Sequence, residues 1–314
     1  MFIRDVSMMS TTWRRQFHVV GACIGALVFF RVVVLLWCGL LSSSTSDDAT
    51  APVDKLAYAT FVDDVDSYLR GARALACSLR RAGVTAPFLL LVPRDRPAVV
   101  AHVRATAGAW ASVVDVSPIA PPATSPHAAR FERTWSKLNV WALDEWDRII
   151  FIDADCVVMT PRVRELEQRW HRAVQLPAFA SDTNPPDVLN SGVMVLRPDL
   201  TVFLALRATI SAASPETRAH WRSEQDVLND VWGARWFGTP RMLPAHFNWH
   251  AWQTVSDPER AARANPTIVH YSGVHKPWYG AAPRAWQPVM RAWHLIEQQC
   301  QVDLTTTRVG GSVL

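Results

Sequence analysis

The sequence predicts an α/β domain built on a mixed, mostly parallel sheet flanked by helices and preceded by one transmembrane helix. Apolar runs of strand length alternate with helical stretches. Short turns separate them. Ahead of the first run lies an apolar segment of roughly 23 residues, interrupted only by one arginine and long enough to cross a bilayer.

That segment, VVGACIGALVFFRVVVLLWCGLL, spans residues 19–41. Arg31 at its centre costs about 3 kcal/mol on insertion scales, and the Val, Leu and Phe residues around it outweigh this at about half a kcal/mol each. Arg14 and Arg15 before it, against Asp47 and Asp48 after it, place residues 1–18 as a cytoplasmic tail. A cleaved signal peptide is the rival reading, but its apolar stretch is normally only about 7–15 residues. Residues 42–54, with their SSSTSDDATAP run, read as a polar stem. A lumenal domain follows over 55–300, with a C-terminal tail at 301–314.

Within the domain, Leu56–Val62 (LAYATFV) reads as a buried strand. Leu69, Ala72, Ala76 and Leu79 then fall at helical spacing until Gly83 stops the helix. Phe88–Val92 is the second strand, a helix starts at Pro97, and Trp110–Val116 is the third strand. The proline-rich stretch Ser117–His127 reads as a loop of functional length. Trp135, Leu138 and Ala142 mark one face of a helix leading to the strand Ile149–Ile152. Further strands are expected at Gly192–Leu196 and around His270. In such sheets ligands collect at the carboxyl ends of strands.

The formal net charge of +4 comes from 32 basic and 28 acidic residues with no long basic run, which argues against a nucleic-acid partner. Five scattered cysteines offer neither C-x-x-C spacing nor the density of a disulfide scaffold, so zinc and redox-motif readings drop out. Of the 32 basic residues only Lys55, Lys137 and Lys276 are lysines. A lysine in this chain is therefore a candidate chemical choice.

Asp153 and Asp155 stand where the strand IIFI gives out, two residues apart and on one side of an extended chain. Carboxylates so placed invite a divalent cation, although Asp-x-Asp also occurs as plain turn chemistry. His270, in TIVHYSGVHKPW, would shift oxygen ligation towards manganese, with magnesium the alternative. Alone it could equally be an ordinary satisfied histidine. Gly273 beside it permits close backbone approach, and Lys276 offers an ammonium to a phosphate oxygen. Lys137 reads either as a solvated helix lysine or as a donor contact. Asp182, Asp187 and Asn190 can hold sugar hydroxyls or simply form turns. Ser223, Glu224, Gln225 and Asp226 open a helix, and capping explains them equally well.

Taken in order, these segments resemble the family-8 retaining glycosyltransferases, the group that includes glycogenin, bacterial lipopolysaccharide galactosyltransferases and plant galactinol synthases. The resemblance covers about Leu56 to Trp278 and is carried by YATFVDDVDSYLRGARALACSLR, WSKLNVWAL, FIDAD, DVLNSGVMVL, EQDVLN and HYSGVHKPW. It implies a nucleotide-sugar-binding sheet of the GT-A type, with Asp153, Asp155 and His270 as manganese ligands. Lys276 and Gly273 would contact the donor diphosphate, and Thr60, Asp64 and Tyr68 the uracil and ribose. Lys137, Asp182, Asn190, Glu224 and Gln225 would meet the donor sugar, with Gln225, Asp182 and Lys276 closest to the chemistry.

The implied reaction moves a sugar with retention from a uridine-diphosphate sugar to a glycan, glycolipid or glycoprotein, in a single-pass type II protein of the Golgi or another secretory membrane. The resemblance leaves as its alternative a non-catalytic lumenal scaffold of the same fold. Donor hydrolysis is expected only as a side reaction. Two departures stand out: Glu224-Gln225 replaces the common Asp-Gln, and HFNWHAWQTVSD lacks the tyrosine that glycogenin glucosylates on itself. Trp249, Trp252 and Trp278 are candidates for stacking on acceptor sugars, with core packing their commoner fate. No Asn-x-Ser/Thr sequon is present.

Overall fold

The computed structural model describes residues 54–64, 67–108, 110–122, 132–172, 175–182, 187–280 and 282–309, the last nine of these by backbone alone. The predicted membrane segment 19–41, its flanking tail and most of the stem lie outside them, as do parts of the Ser117–His127 loop. Among the described residues no helix is long and apolar enough to cross a membrane.

The first half of the domain follows the predicted alternation: β1 (Leu56–Phe61), α1 (Tyr68–Arg81), β2 (Phe88–Pro93), α2 (Pro97–Ala107), β3 (Ser112–Val116) and β4 (Arg148–Ile152). The expected helix before β4 is instead a 3₁₀ segment, Thr134–Ala142. Seven consecutive residues of it, Trp135 to Trp141, are buried. An amphipathic α-helix would hold part of that run in water.

Past β4 come β5 (Cys156–Val158), α3 (Glu165–Arg169), β6 (Ala178–Ser181) and β7 (Leu189–Leu196). Then follow α4 (Leu200–Ala212), α5 (Pro215–His220), α6 (Glu224–Trp232) and β8 (Met242–Leu243). The chain closes with β9 (Trp249–His250), α7 (Ala251–Ser256), α8 (Pro258–Ala264), β10 (Ile268–His270) and α9 (Gln287–Val309). Thus α9 runs past the domain boundary expected at Cys300.

Seven strands form the main sheet in the order β3-β2-β1-β4-β7-β6-β8, parallel except at β7. Its two faces are read directly from period-two alternation. Tyr58, Ile150 and Ile152 join one apolar cluster with Leu75 and Leu79 of α1. Ala57, Ala59, Ile149 and Phe151 join the other with Trp135, Trp141, Phe203 and Trp232. Trp141 and Trp232 stack there at 5.8 Å and 11°.

A second sheet, β5-β10-β9, decides where the chemistry sits. The Asp-Ala-Asp segment is not an extended chain end but a tight turn, with the Cys156 amide donating to Asp153 O at 3.0 Å. The turn arises because β5 leaves the main sheet at once to pair with β10. That antiparallel pairing sets His270 opposite Cys156, and the parallel β9 sets His250 opposite His270. Residues far apart in sequence therefore meet at the carboxyl end of β4. Helix α1 lies close over the same turn: a Cβ on Gly71 would stand 2.3 Å from Ala154 O.

Cys77 of α1 and Cys300 of α9 form a disulfide that the cysteine spacing did not reveal. Its partners are 223 residues apart and are joined only by the tertiary fold.

Candidate active site

At the carboxyl edge of the sheet two of the three lysines meet the two aspartates. Lys137 Nζ lies 2.7 Å from Asp153 Oδ1 and 3.1 Å from Glu224 Oε1. Lys276 Nζ pairs with Asp155 Oδ2 and donates to Tyr271 O at 2.7 Å. Both lysines are buried, so Lys137 is not the solvated helix lysine that was one of its two readings. His270 Nε2 stands 3.2 Å from Asp155 Oδ1 and 3.9 Å from Asp153 Oδ2.

Electrostatics divide the carboxylates. Burial pushes Asp153 up, and Lys137 only partly offsets it. Burial would push Asp155 up too, yet Lys276 and His270 hold it well below the usual carboxylate range. Lys137 is raised, because Asp153 and Glu224 outweigh the burial that would lower it.

The donor set fits a hard divalent ion: two carboxylates and an imidazole nitrogen, with oxygen in the majority. Asp155, Cys156 and His270 also bring one ligand atom each within 4.8 Å of one another. Burial, then Asp155 and Asp153, push the Cys156 thiol well up, so it stays protonated and is a poor ligand. Asp153 is the better third donor.

Beside this group lies a cradle of amides and acids. Asp182 Oδ2 accepts from Gln225 Nε2 at 3.2 Å and from Asn190 Nδ2 at 3.3 Å. Gln225 Oε1 accepts from Ser191 N at 3.1 Å, and Glu224 Oε1 from Ser191 Oγ at 2.8 Å. Capping accounts for Asp226, which closes a box with Ser223 at the start of α6. Glu224 and Gln225 are turned into the site. Asn190 and Ser191 come from an irregularity in β7: Phe179 pairs with Met194 but Ala180 pairs with Asn190. That irregularity frees Ser191 and Gly192 from the β6 ladder to meet side chains.

Tyr68 lies under Lys276 Nζ at 5.8 Å and edge-on to Trp278 at 5.4 Å. Asp64 receives the Ser67 amide at 2.9 Å at the start of α1. Thr60, the last but one residue of β1, lies one step beyond the Ala59–Phe151 pair, near the end of β4. Its Oγ1 is buried with no partner among the described residues. Gly273 adopts φ +87°, where glycine is favoured, on the loop that brings Lys276 in.

Asp187 is exposed. Of the proposed stacking tryptophans, Trp249 is buried and Trp278 is wedged between Tyr68 and Trp293. Packing explains both.

Sequence reasoning passed over Asn248 and His250. Asn248 Oδ1 meets His270 Nδ1 at 2.9 Å, and His250 Nδ1 meets Ser272 Oγ at 2.6 Å. Burial and the neighbouring His270 push His250 down to about 3, so its ring is neutral. The available signal was two polar side chains on either side of Trp249 in the aromatic-rich stretch HFNWHAW. Gly192 is equally specific: a Cβ there would stand 2.5 Å from His270 Cε1 and 2.8 Å from Asn190 Oδ1. Gly192→Ala is expected to displace the ring and to weaken by about tenfold or more the binding of a divalent ion added as a probe, as loss of ligand orientation does, read by the paramagnetic resonance of free manganese.

No family model matches the chain. Its fold is that of the GT-A glycosyltransferases: the apo form of the glycosyltransferase GlyE of Streptococcus pneumoniae superposes with a TM-score of 0.54 at 15% identity, covering 79% of this chain and 64% of that one. In sequence it is homologous to the family-8 glycosyltransferases. UDP-glucuronate:xylan alpha-glucuronosyltransferase 1 of Arabidopsis thaliana is 30% identical over 234 residues, 71% of this chain and 32% of the relative. Glycogenin-1 of Caenorhabditis elegans is 29% identical over 245 residues, 72% of this chain and 53% of the relative. The chain thus spans about a third of the length of the plant glucuronosyltransferases it matches, 32% to 35% for three of them.

Proposed function

We propose that the chain is a retaining glycosyltransferase that moves a sugar from a uridine-diphosphate sugar to a glycan, glycolipid or glycoprotein. The observation that carries this reading is the convergence of Asp153, Asp155, His270 and Lys276 with the Lys137, Glu224, Asp182 and Gln225 cradle on one sheet edge. Metal-ligating and sugar-binding chemistry stand side by side there.

Asp153, Asp155 and His270 would hold manganese. When bound, the ion supplies positive charge against the donor diphosphate. Lys276 adds an ammonium on the same side, lowering the barrier as negative charge develops on the leaving group. Gly273 lets the backbone come near that diphosphate. Thr60, Asp64 and Tyr68 line the nucleotide side, and the orphaned Thr60 hydroxyl suits a base or ribose oxygen.

On the sugar side, Asp182 and Asn190 offer polar atoms to hydroxyls. Glu224 Oε2, buried and without a partner among the described residues, is an acceptor of the same kind. Gln225 is a poor nucleophile twice over: it is an amide, and its oxygen already accepts the Ser191 N–H. Same-face attack, with the departing phosphate taking the acceptor's proton, follows. A trapped glycosyl-enzyme adduct would overturn it.

The apolar segment 19–41 supports a single-pass anchor, outside the described residues, with the domain in a Golgi or other secretory lumen. The Cys77–Cys300 disulfide supports an oxidising compartment independently.

The test is nucleotide release by the full chain from glucose, galactose, xylose, N-acetylglucosamine and glucuronic acid donors, with manganese and with chelator. Release from one donor, lost on chelation, is expected. Silence from folded protein across donors and a broad acceptor mixture would sink the proposal and favour the scaffold.

A further inference from the structure

A single backbone amide fixes the donor and acceptor roles along a chain of side chains that joins the two halves of the site. The Gly192 N–H can only donate, and it meets Asn190 Oδ1 at 2.8 Å. That oxygen is therefore an acceptor, so the Asn248 atom 3.0 Å from it must be the Nδ2 donor. Asn248 then presents Oδ1 to His270 Nδ1 at 2.9 Å, and Nδ1 must carry the proton. Nε2 is left facing Asp155 Oδ1 at 3.2 Å and Asp153 Oδ2 at 3.9 Å. The second contact of Asn248 Nδ2, to His250 Nε2 at 3.4 Å, fits the same pattern when that nitrogen accepts and His250 Nδ1 donates to Ser272 Oγ at 2.6 Å.

We propose that Asn248 is a positioning residue that keeps a proton on His270 Nδ1 and so leaves Nε2 as the ring nitrogen available to a cation held by the Asp153 and Asp155 carboxylates. In the other tautomer the proton would sit on Nε2, between the ring and any cation. At its far end Asn248 grips Asn190, which donates to Asp182, itself bound to Gln225. Ligand orientation and the sugar cradle thus share one asparagine. A ligating histidine whose second nitrogen is held in this way binds metal more tightly, by about 10–100-fold when the outer partner is compared with its deletion. The role in metal binding rests on the glycosyltransferase reading above; the tautomer does not.

The experiment uses the full chain with ¹⁵N-labelled histidine. Long-range proton–nitrogen NMR of the metal-free protein reads the His270 tautomer, and the resonance of free manganese reads affinity. Wild type is expected to show Nδ1–H. Asn248→Ala should mix the tautomers and weaken manganese about 10–100-fold. Asn248→Asp keeps the acceptor towards His270 and loses the donor towards Asn190. It should therefore restore the tautomer and hold affinity within about threefold of wild type, while the donor KM rises, since only the outer partner's far contact is lost.

An Nε2–H tautomer in wild type overturns the proposal, as does Asn248→Asp behaving like Asn248→Ala. Should Asn248→Ala fail to fold, wild type and Asn248→Asp still decide. A wild type that binds no manganese yet shows an Nδ1–H signal lost in Asn248→Ala supports the assignment and overturns the metal reading instead.

Discussion

Asp155→Asn is expected to remove manganese-stimulated donor turnover almost entirely and to lower stability with it. The carboxylate is shared between the Lys276 ammonium and His270 Nε2, in a buried turn. Neutralising it takes away one of the three proposed metal donors, and on that proposal several kcal/mol of charge stabilisation on the leaving diphosphate. About 4 kcal/mol corresponds to roughly a thousandfold in rate. The same change removes the charge paired with buried Lys276, whose ammonium also donates to the Tyr271 carbonyl, a loss of about 3–5 kcal/mol for a broken buried pair. Adding Lys276→Met separates the two effects. The double variant should recover much of the stability, because the uncompensated charge is gone, while turnover stays lost. Nucleotide release and thermal unfolding of the three variants measure this. Asp155→Asn turning over within about tenfold of wild type would place the metal elsewhere.

The parts legible in the sequence are those fixed by local pattern. Continuous apolar runs at Phe88 and Ile149 announced buried parallel strands, and both formed nearly where expected. Lys137, Asp153, Asp155, His270 and Lys276 were singled out and do come together. What pattern could not carry was the geometry that depends on partners. The Asp-Ala-Asp turn is tight because β5 pairs with β10, far away in the chain. Trp135–Trp141 is a 3₁₀ segment because it is buried all round, and helical spacing of apolar residues does not distinguish this from one buried face. Asn248 was invisible because its meaning comes from Asn190 and His270, neither adjacent in sequence. The disulfide was missed for the same reason.

That disulfide carries the second large effect, for it closes the chain across almost the whole described domain. Cys300→Ser, or reduction, frees a loop of 223 residues in the unfolded ensemble and is expected to cost about 2–5 kcal/mol. For a domain of this size that is roughly 5–15 °C in Tm. The loss should not be confined to stability. Trp293 of α9 is fully buried, packs on Trp278 at 5.8 Å, and receives the Arg70 guanidinium at 5.3 Å, while Arg70 itself pairs with Glu297. The Tyr271 hydroxyl reaches Val289 O of the same helix at 2.8 Å. Loosening α9 from α1 therefore loosens both ends of the 271–278 segment that presents Lys276. A donor KM that rises with Cys300→Ser, together with the fall in Tm, is the expected result. Unchanged melting with and without reductant would mean that α9 is held by its apolar face alone. Melting that falls while KM stays fixed would mean that the Lys276 loop is anchored by Asp155 and Tyr68, independently of the helix behind it.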